Sequence, residues 1–409
     1  MARQEKRGRP HTTLAWATKG AVLEDIDTST IPYVHSNWIE DGPRPAREIA
    51  QHAAIEFTER FEAGSDCFKL TKKQAAVLRA IIGRGGMPES MLLSCMPTRL
   101  HLTSALGGHW KKHWHKHRLE PSRQYMFLTG ITDSGNTLAR RPNVCPEALR
   151  RLFDKLIRQA GLHGNFVLEV QVITNFPRGG HGGTHCWHFH AILTTDDPDL
   201  DLGKLQAKLR QSKRLFNIFD APTVTVKPID GLAHLLRCCT YMLKAPAFGK
   251  FLAPHRDIPR GWTFKKVFVR KDEALRLGEA ISQLELGQVI HSVRDGKHLL
   301  RPAMKAVRAR HKAQYAKTRN KLPENFDLAT FWAELRQGRK KNLYEPYAFS
   351  QSRTGCGSNE WVRVASKALK DINARREKAG EGSAKCGSIN PRNSDGRRRG
   401  RVRAGLARM

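Results

Sequence analysis

His185-Cys186-Trp187-His188-Phe189-His190-Ala191-Ile192-Leu193 is the stretch on which the fold turns. Read as a β-strand, whose side chains alternate faces with a period of two, it sends His188 and His190 to one side and Trp187, Phe189 and Ala191 to the other. One face offers two imidazoles and the other offers core. A metal site of this kind needs a further ligand from a partner strand, and a nucleophile or substrate on the ligand side.

The strand expected at Asn165–Ile173 supplies candidates. Alternation places Phe166, Leu168, Val170 and Val172 on one face, and Val167, Glu169, Gln171 and Ile173 on the other. If this strand pairs with 185–193, Glu169 or Gln171 falls beside the histidines, completing a His-His-carboxylate or a His-His-amide set. Such a mixed nitrogen and oxygen set suits Mg²⁺ or Mn²⁺ bridging a phosphate, or Zn²⁺ and other transition metals. The plainer alternative is a solvated face on which Glu169 is merely exposed.

A helix expected at Gly231–Lys244 adds chemistry. At about 100° per residue, Leu232, Leu235, Leu236, Cys239, Met242 and Leu243 share the arc that packs inward, and His234, Arg237, Cys238, Tyr241 and Lys244 share the opposite one. Packing does not require a tyrosine among cations. A nearby positive charge favours phenolate, the form a tyrosine nucleophile needs; the alternative is an ordinary surface face.

Working outward, Arg44–Glu62 and Thr71–Ile82 read as helices, followed by a basic and aromatic run from His109 to Arg118 that includes Trp110, Lys111, Lys112 and Trp114. Cations interleaved with rings suit phosphate contact and base stacking; the alternative is a solvated helix with its tryptophans turned inward. Tyr125–Thr132 reads as a strand, Pro146–Gly161 as an amphipathic helix, Leu202–Phe219 as helix and Thr223–Lys227 as strand. Beyond 251, helices are expected at Asp272–Leu286 and Leu328–Gln337 among basic loops. The expectation is an α+β fold with a central antiparallel sheet and flanking helices. It divides into a basic, mainly helical region (1–120), a catalytic domain (121–250), a basic helical region (251–379) and a disordered Arg-rich tail (380–409).

The composition points to a polyanion. Across 409 residues, 71 Lys and Arg stand against 38 Asp and Glu, a formal charge of +33, which favours nucleic acid as partner. No apolar run approaches the ~18–20 residues of a spanning helix, and no signal pattern opens the chain, so a soluble, cytoplasmic protein is expected. The 8 cysteines include no Cys-x-x-Cys pair, which argues against a disulfide framework or a zinc ribbon. The P-loop pattern of nucleotide-driven motors is also absent from the sequence, so any unwinding comes from elsewhere.

The order Phe127-Leu128-Thr129-Gly130-Ile131-Thr132, Glu169 on a strand, His188-Phe189-His190, then Tyr241-Met242-Leu243-Lys244 resembles the three motifs of single-tyrosine rolling-circle replication initiators of the HUH endonuclease superfamily. The resemblance covers residues 121–250, about a third of the chain. It implies an RRM-like catalytic sheet and a bacterial plasmid or phage enzyme that nicks and rejoins a single-stranded or cruciform replication origin. In that reading His188, His190 and Glu169, with Gln171 as alternative, hold Mg²⁺ or Mn²⁺. Tyr241 attacks to leave a 5′-phosphotyrosine, Lys244 assists, and Arg237, His234, Thr129, Arg178, Trp110, Lys111, Lys112 and Trp114 contact DNA. A host helicase and polymerase are the implied partners, with no membrane. Two features depart from the family pattern: Gly130 stands where a bulky residue is usual, and Thr174–Thr184 makes a long glycine-rich connection. The competing classes are a non-catalytic nucleic-acid-binding protein and a single-tyrosine transposase of the same superfamily.

Overall fold

A computed structural model describes residues 33–34, 44–67, 70–83, 90–120, 122–139, 146–177, 183–219, 221–254, 262–317, 322, 325–337 and 358–378. Arg178 and the 380–409 tail lie outside them. The elements in chain order are α1 (Ala46–Cys67), α2 (Lys72–Gly83), α3 (Met96–His117), β1 (Gln124–Ile131), β2 (Thr137–Leu138), α4 (Pro146–Gln159), β3 (His163–Ile173), β4 (Thr184–Thr195), α5 (Leu202–Arg210), β5 (Val224–Pro228) and α6 (Leu232–Met242). There follow β6 (Phe248–Pro254), β7 (Trp262–Phe268), α7 (Lys271–Ser282), α8 (Leu286–Val289), β8 (Ile290–Val293), α9 (Lys297–Lys317), α10 (Leu328–Gln337) and α11 (Ser358–Lys378). A two-residue pair, Tyr33–Val34 with Arg44–Pro45, stands apart from the main sheet.

The fold is α+β. Its main sheet runs β5-β1-β4-β3-β6-β7, with β2 against β4 and β8 against β3. The pairings are antiparallel except β3 with β6, which meet in parallel at Ile173 and Lys250, so the sheet is mixed rather than purely antiparallel. Long strands β3 and β4 form its centre, because both of their faces carry runs of Val, Ile, Leu and aromatic residues that suit burial on two sides.

Helices cover both faces. Behind the sheet, α4 lays Phe153 against Phe189, ring centres 3.9 Å apart. In front, α6 covers the histidine face and is backed by α3. The histidine face is therefore roofed by a helix instead of opening to solvent. One main apolar core joins α1 to α10, with Phe57, Leu102, Phe166, Ile192, Leu275 and Trp332 among its members. A smaller core gathers Leu138, Ile173, Phe176, Phe219 and Leu252 around Trp361 of α11.

Four segments depart from the sequence reading. The helix expected over Leu202–Phe219 ends at Arg210. Beyond it, the backbone of Phe216 and Ile218 bonds the amide and the carboxylate of buried Asp133, and Thr132 Oγ1 donates to Arg214 O. Among the described residues, the hairpin β6–β7 opens the basic region after 251, where the sequence reading expected loops between helices. The helices α9 and α11 were absent from the sequence expectation. Both are mostly polar, and their cores consist of a few residues each, such as Ala303 and Val307 or Trp361 and Ala365.

Gly130, the departure in the first motif, has a packing cause. It lies opposite Phe189 in the β1–β4 ladder, and a Cβ there would stand 2.0 Å from Phe189 Cε1. The ring that fills the core behind the histidines occupies the space of the missing side chain.

Candidate metal centre

The register decides which polar residue of β3 stands beside the histidines. Glu169 pairs with His188 across β3–β4, and Thr129 pairs with His190 across β1–β4. Directly opposed residues share a face, so one carboxylate and two imidazoles converge. Gln171 pairs with Cys186 one step along and stands outside this trio. Among the described residues, this is the one group of three His, Cys, Asp or Glu ligands that comes together.

Glu169 Oε2 stands 2.9 Å from His190 Nε2 and 3.3 Å from His188 Nε2, and the two Nε2 atoms are 3.1 Å apart. Three donors at right angles around an ion with bonds of about 2.1 Å would be about 3.0 Å apart, so the triangle has the size of a metal-binding face. The outer nitrogens have partners of their own. His188 Nδ1 donates to the Cys186 carbonyl at 3.4 Å, and His190 Nδ1 bonds Thr129 Oγ1 at 2.9 Å. The inner nitrogens, Nε2 of both rings, are thereby aimed at one Glu169 oxygen, the arrangement in which a second contact orients a candidate ligand.

The electrostatics agree. Burial lowers both imidazoles, His190 to about 3, with Lys244 adding to the effect and Glu169 opposing it. They are thus neutral ligands at neutral pH. Burial would raise the Glu169 carboxyl, but the charge of Lys244 and hydrogen bonds from the two histidines outweigh it and hold the group well below the usual carboxylate range.

Three further residues complete the site. Lys244 Nζ donates to Glu169 Oε2 at 2.7 Å and sits 3.6 Å from the centre of the Tyr241 ring. Tyr241 stands edge-on to His190 at 4.7 Å and to Phe127 at 5.8 Å. Phe127 stacks on His190 at 5.6 Å with planes 14° apart, so the first motif sends Phe127 and Thr129 to the histidine and Leu128 to the core. Tyr241 occupies the last turn of α6, and Lys244 lies just past its cap at Leu243.

Arg99 is a residue the sequence did not single out. Buried on α3, it donates to the carbonyls of Leu93, Leu243 and Lys244, capping the C-terminus of α6 where carbonyls lack helical partners. Burial lowers its guanidinium to about 10, against attraction from Glu169. It fixes the chain from which Lys244 reaches the carboxylate.

Other expected contacts fall elsewhere. Trp110 is only 1% exposed, its ring packed edge-on to Tyr125, so its indole is not presented for base stacking, and half-buried Trp114 lies tilted against Tyr125 at 4.7 Å. Trp110 of the patch therefore belongs to the core, while Lys112, His115, Lys116 and Arg118 are exposed and Lys111 is half-buried. Thr129 is committed to orienting His190. His234 and Arg237 are partly exposed on α6, with His234 3.9 Å from Asp230. Cys238, expected outside, is buried.

No family model, curated protein or solved structure matches the chain. No helix among the described residues is long and apolar enough to cross a membrane.

Proposed function

We propose that the chain is an HUH-type enzyme that nicks and rejoins single-stranded DNA, acting as a rolling-circle replication initiator in the bacterial cytoplasm. The observation that carries this reading is the convergence of Glu169, His188 and His190 beneath Tyr241 and Lys244. The +33 charge favours a phosphodiester substrate.

Glu169, His188 and His190 would hold Mg²⁺ or Mn²⁺, which supplies Lewis-acid polarisation of a scissile phosphate and offsets its developing charge. Tyr241 oxygen forms a bond to phosphorus while the bond from phosphorus to the 3′-oxygen breaks. The DNA is left linked through its 5′-phosphate to tyrosine, and the 3′-oxygen leaves as a protonated hydroxyl that primes synthesis. Lys244 keeps Glu169 ionised and brings positive charge to the tyrosine ring. Thr129 and Phe127 hold His190 in orientation, and α6 limits water at the reacting phosphate. Attack of a 3′-hydroxyl on the phosphotyrosine reverses the step and joins strands.

The test is adduct formation. Purified full-length protein with Mn²⁺ and overlapping single-stranded oligonucleotides tiling the DNA beside its gene gives a band resistant to denaturant, and Tyr241→Phe removes it. An unchanged adduct in Tyr241→Phe overturns the nucleophile, and EDTA-resistant binding without adduct on any oligonucleotide favours the plain DNA-binding protein.

A further inference from the structure

The histidine face does not end at Glu169. Strand β6 joins β3 where Lys250 pairs with Ile173, and Ile173 shares the face of Glu169 and Gln171, so Lys250 does too. Gly249 allows this junction, since a Cβ there would lie 2.8 Å from Val172 O. On β7, Phe264, Lys266 and Phe268 pair with Leu252, Lys250 and Phe248 and stand on the same side. The far side carries Gly249, Phe251 and Ala253 opposite Val267, Lys265 and Thr263.

On the near side, cations and rings alternate. Lys266 Nζ lies 3.9 Å over Phe248, Lys250 Nζ 5.3 Å over Phe264, and the Arg60 guanidinium of α1 4.3 Å over Phe268. Phe248 and Phe268 face each other at 4.7 Å, with Phe268 exposed. Lys244, over Tyr241 at 3.6 Å, heads the row. Burial lowers the ammonium groups of Lys250 and Lys266, with the charge of Lys244 adding to the effect in both and Glu169 opposing it at Lys250.

We infer that the near face of the β6–β7 hairpin, bearing Phe248, Lys250, Phe264, Lys266 and Phe268, is a track for the single-stranded DNA that leads away from the scissile phosphate. The exposed Lys266, with half-buried Lys250 as its cross-strand partner, meets phosphate, and the exposed ring of Phe268 offers a stacking surface that accepts any base; Phe248 and Phe264 are half-buried behind it, Phe264 against Phe219 of the smaller core. A duplex hides its base faces in its own stack, so a single strand is the partner the rings select. The inference rests on the nickase reading for the strand's point of departure, but not for the binding surface itself.

Binding is measured by fluorescence anisotropy of labelled oligo-dT on the full-length protein over a salt series. Lys266→Gln, which keeps an aliphatic stem over Phe248, weakens binding about fivefold near 0.1 M salt and lowers the salt slope by about 0.7, the signature of one lost single-strand phosphate contact. Lys266→Arg restores both values, and Lys265→Gln on the far face changes neither. Phe268→Leu weakens oligo-dT binding by a similar factor without altering the slope. Unchanged binding in both Lys266→Gln and Phe268→Leu overturns the track, as does equal loss in Lys265→Gln or tighter Lys266-dependent binding to oligo-U. The two readings fail separately. Lys266-dependent binding without any tyrosine adduct removes the nickase and keeps the track, whereas adduct formation with binding indifferent to Lys266 removes the track and keeps the nickase.

Discussion

The ammonium of Lys244 is bonded at 2.7 Å to the same Glu169 oxygen that faces both histidines. A cation from just beyond a helix end thereby sets the charge of a carboxylate on a central strand. Replacing it by Lys244→Met removes the largest of the effects that oppose the burial of Glu169 and leaves only the histidines to oppose it, so its carboxyl rises and takes up a proton at higher pH. The expected outcome is an adduct-forming rate lowered about 10²-fold, with the acidic limb of its pH profile moved upward. Rates measured from pH 5 to 8 with Mn²⁺ in excess check this.

Metal binding to the folded chain raises its melting temperature. With Mn²⁺ at roughly 100 times its dissociation constant, the gain is about 2.7 kcal/mol. His188→Ala combined with His190→Ala removes the gain. Both imidazoles are already neutral and Glu169 ionised at neutral pH, so Mn²⁺ stabilisation persists without loss from pH 8 down to about 6.5.

Thr129→Val keeps the shape of the side chain and removes the bond to His190 Nδ1. With that outer partner gone, Mn²⁺ affinity falls about 10- to 100-fold, while circular dichroism and the metal-free melting temperature stay near wild type. Isothermal titration with Mn²⁺ measures the loss.

Gly130→Ala drives a methyl group into the Phe189 ring and costs about 2 kcal/mol through overpacking. Phe189→Leu in the same chain restores part of that stability. A thermal double-mutant cycle should therefore give a coupling of about 1 kcal/mol that favours the pair.

His185 is fully buried, and neither ring nitrogen has a hydrogen-bond partner among the described residues. Burial lowers its pKa from 6.5 to about 3, so between these values the unfolded chain binds a proton that the folded chain does not. Its share of stability is present above 6.5 and is lost as pH falls, by about 1.4 kcal/mol at pH 5.5. His185→Leu is at least as stable as wild type at pH 7, and its melting temperature drops about 2 °C less on acidification to pH 5.5. Melts at constant ionic strength at the two pH values decide it.

The face of each metal residue was legible because strand periodicity alone separates His188 and His190 from Trp187 and Phe189. The choice between Glu169 and Gln171 was not, since it depends on the register of β3 against β4, which the long glycine-rich connection leaves free in the sequence. Arg99 left no signal: it acts on backbone carbonyls of residues distant in sequence, and such partners have no side-chain pattern. The tryptophans of the basic run were ambiguous for a related reason, as period 3.6 gives a helix face but not what covers it. Tyr125 of β1 covers it. The β6–β7 hairpin was hidden because lysine alternating with phenylalanine reads as a basic loop until a neighbouring strand edge is known.

The shared core from α1 to α10 has a practical meaning for anyone wishing to use this chemistry. The histidine strand is no portable cassette. Cutting at 120 and 250 would strip Leu102, Leu106, Leu275 and Ile281 from the core they share with β3 and β4, and would remove Arg99 from the end of α6. A reprogrammed version would keep the whole scaffold and exchange only what lies along the hairpin.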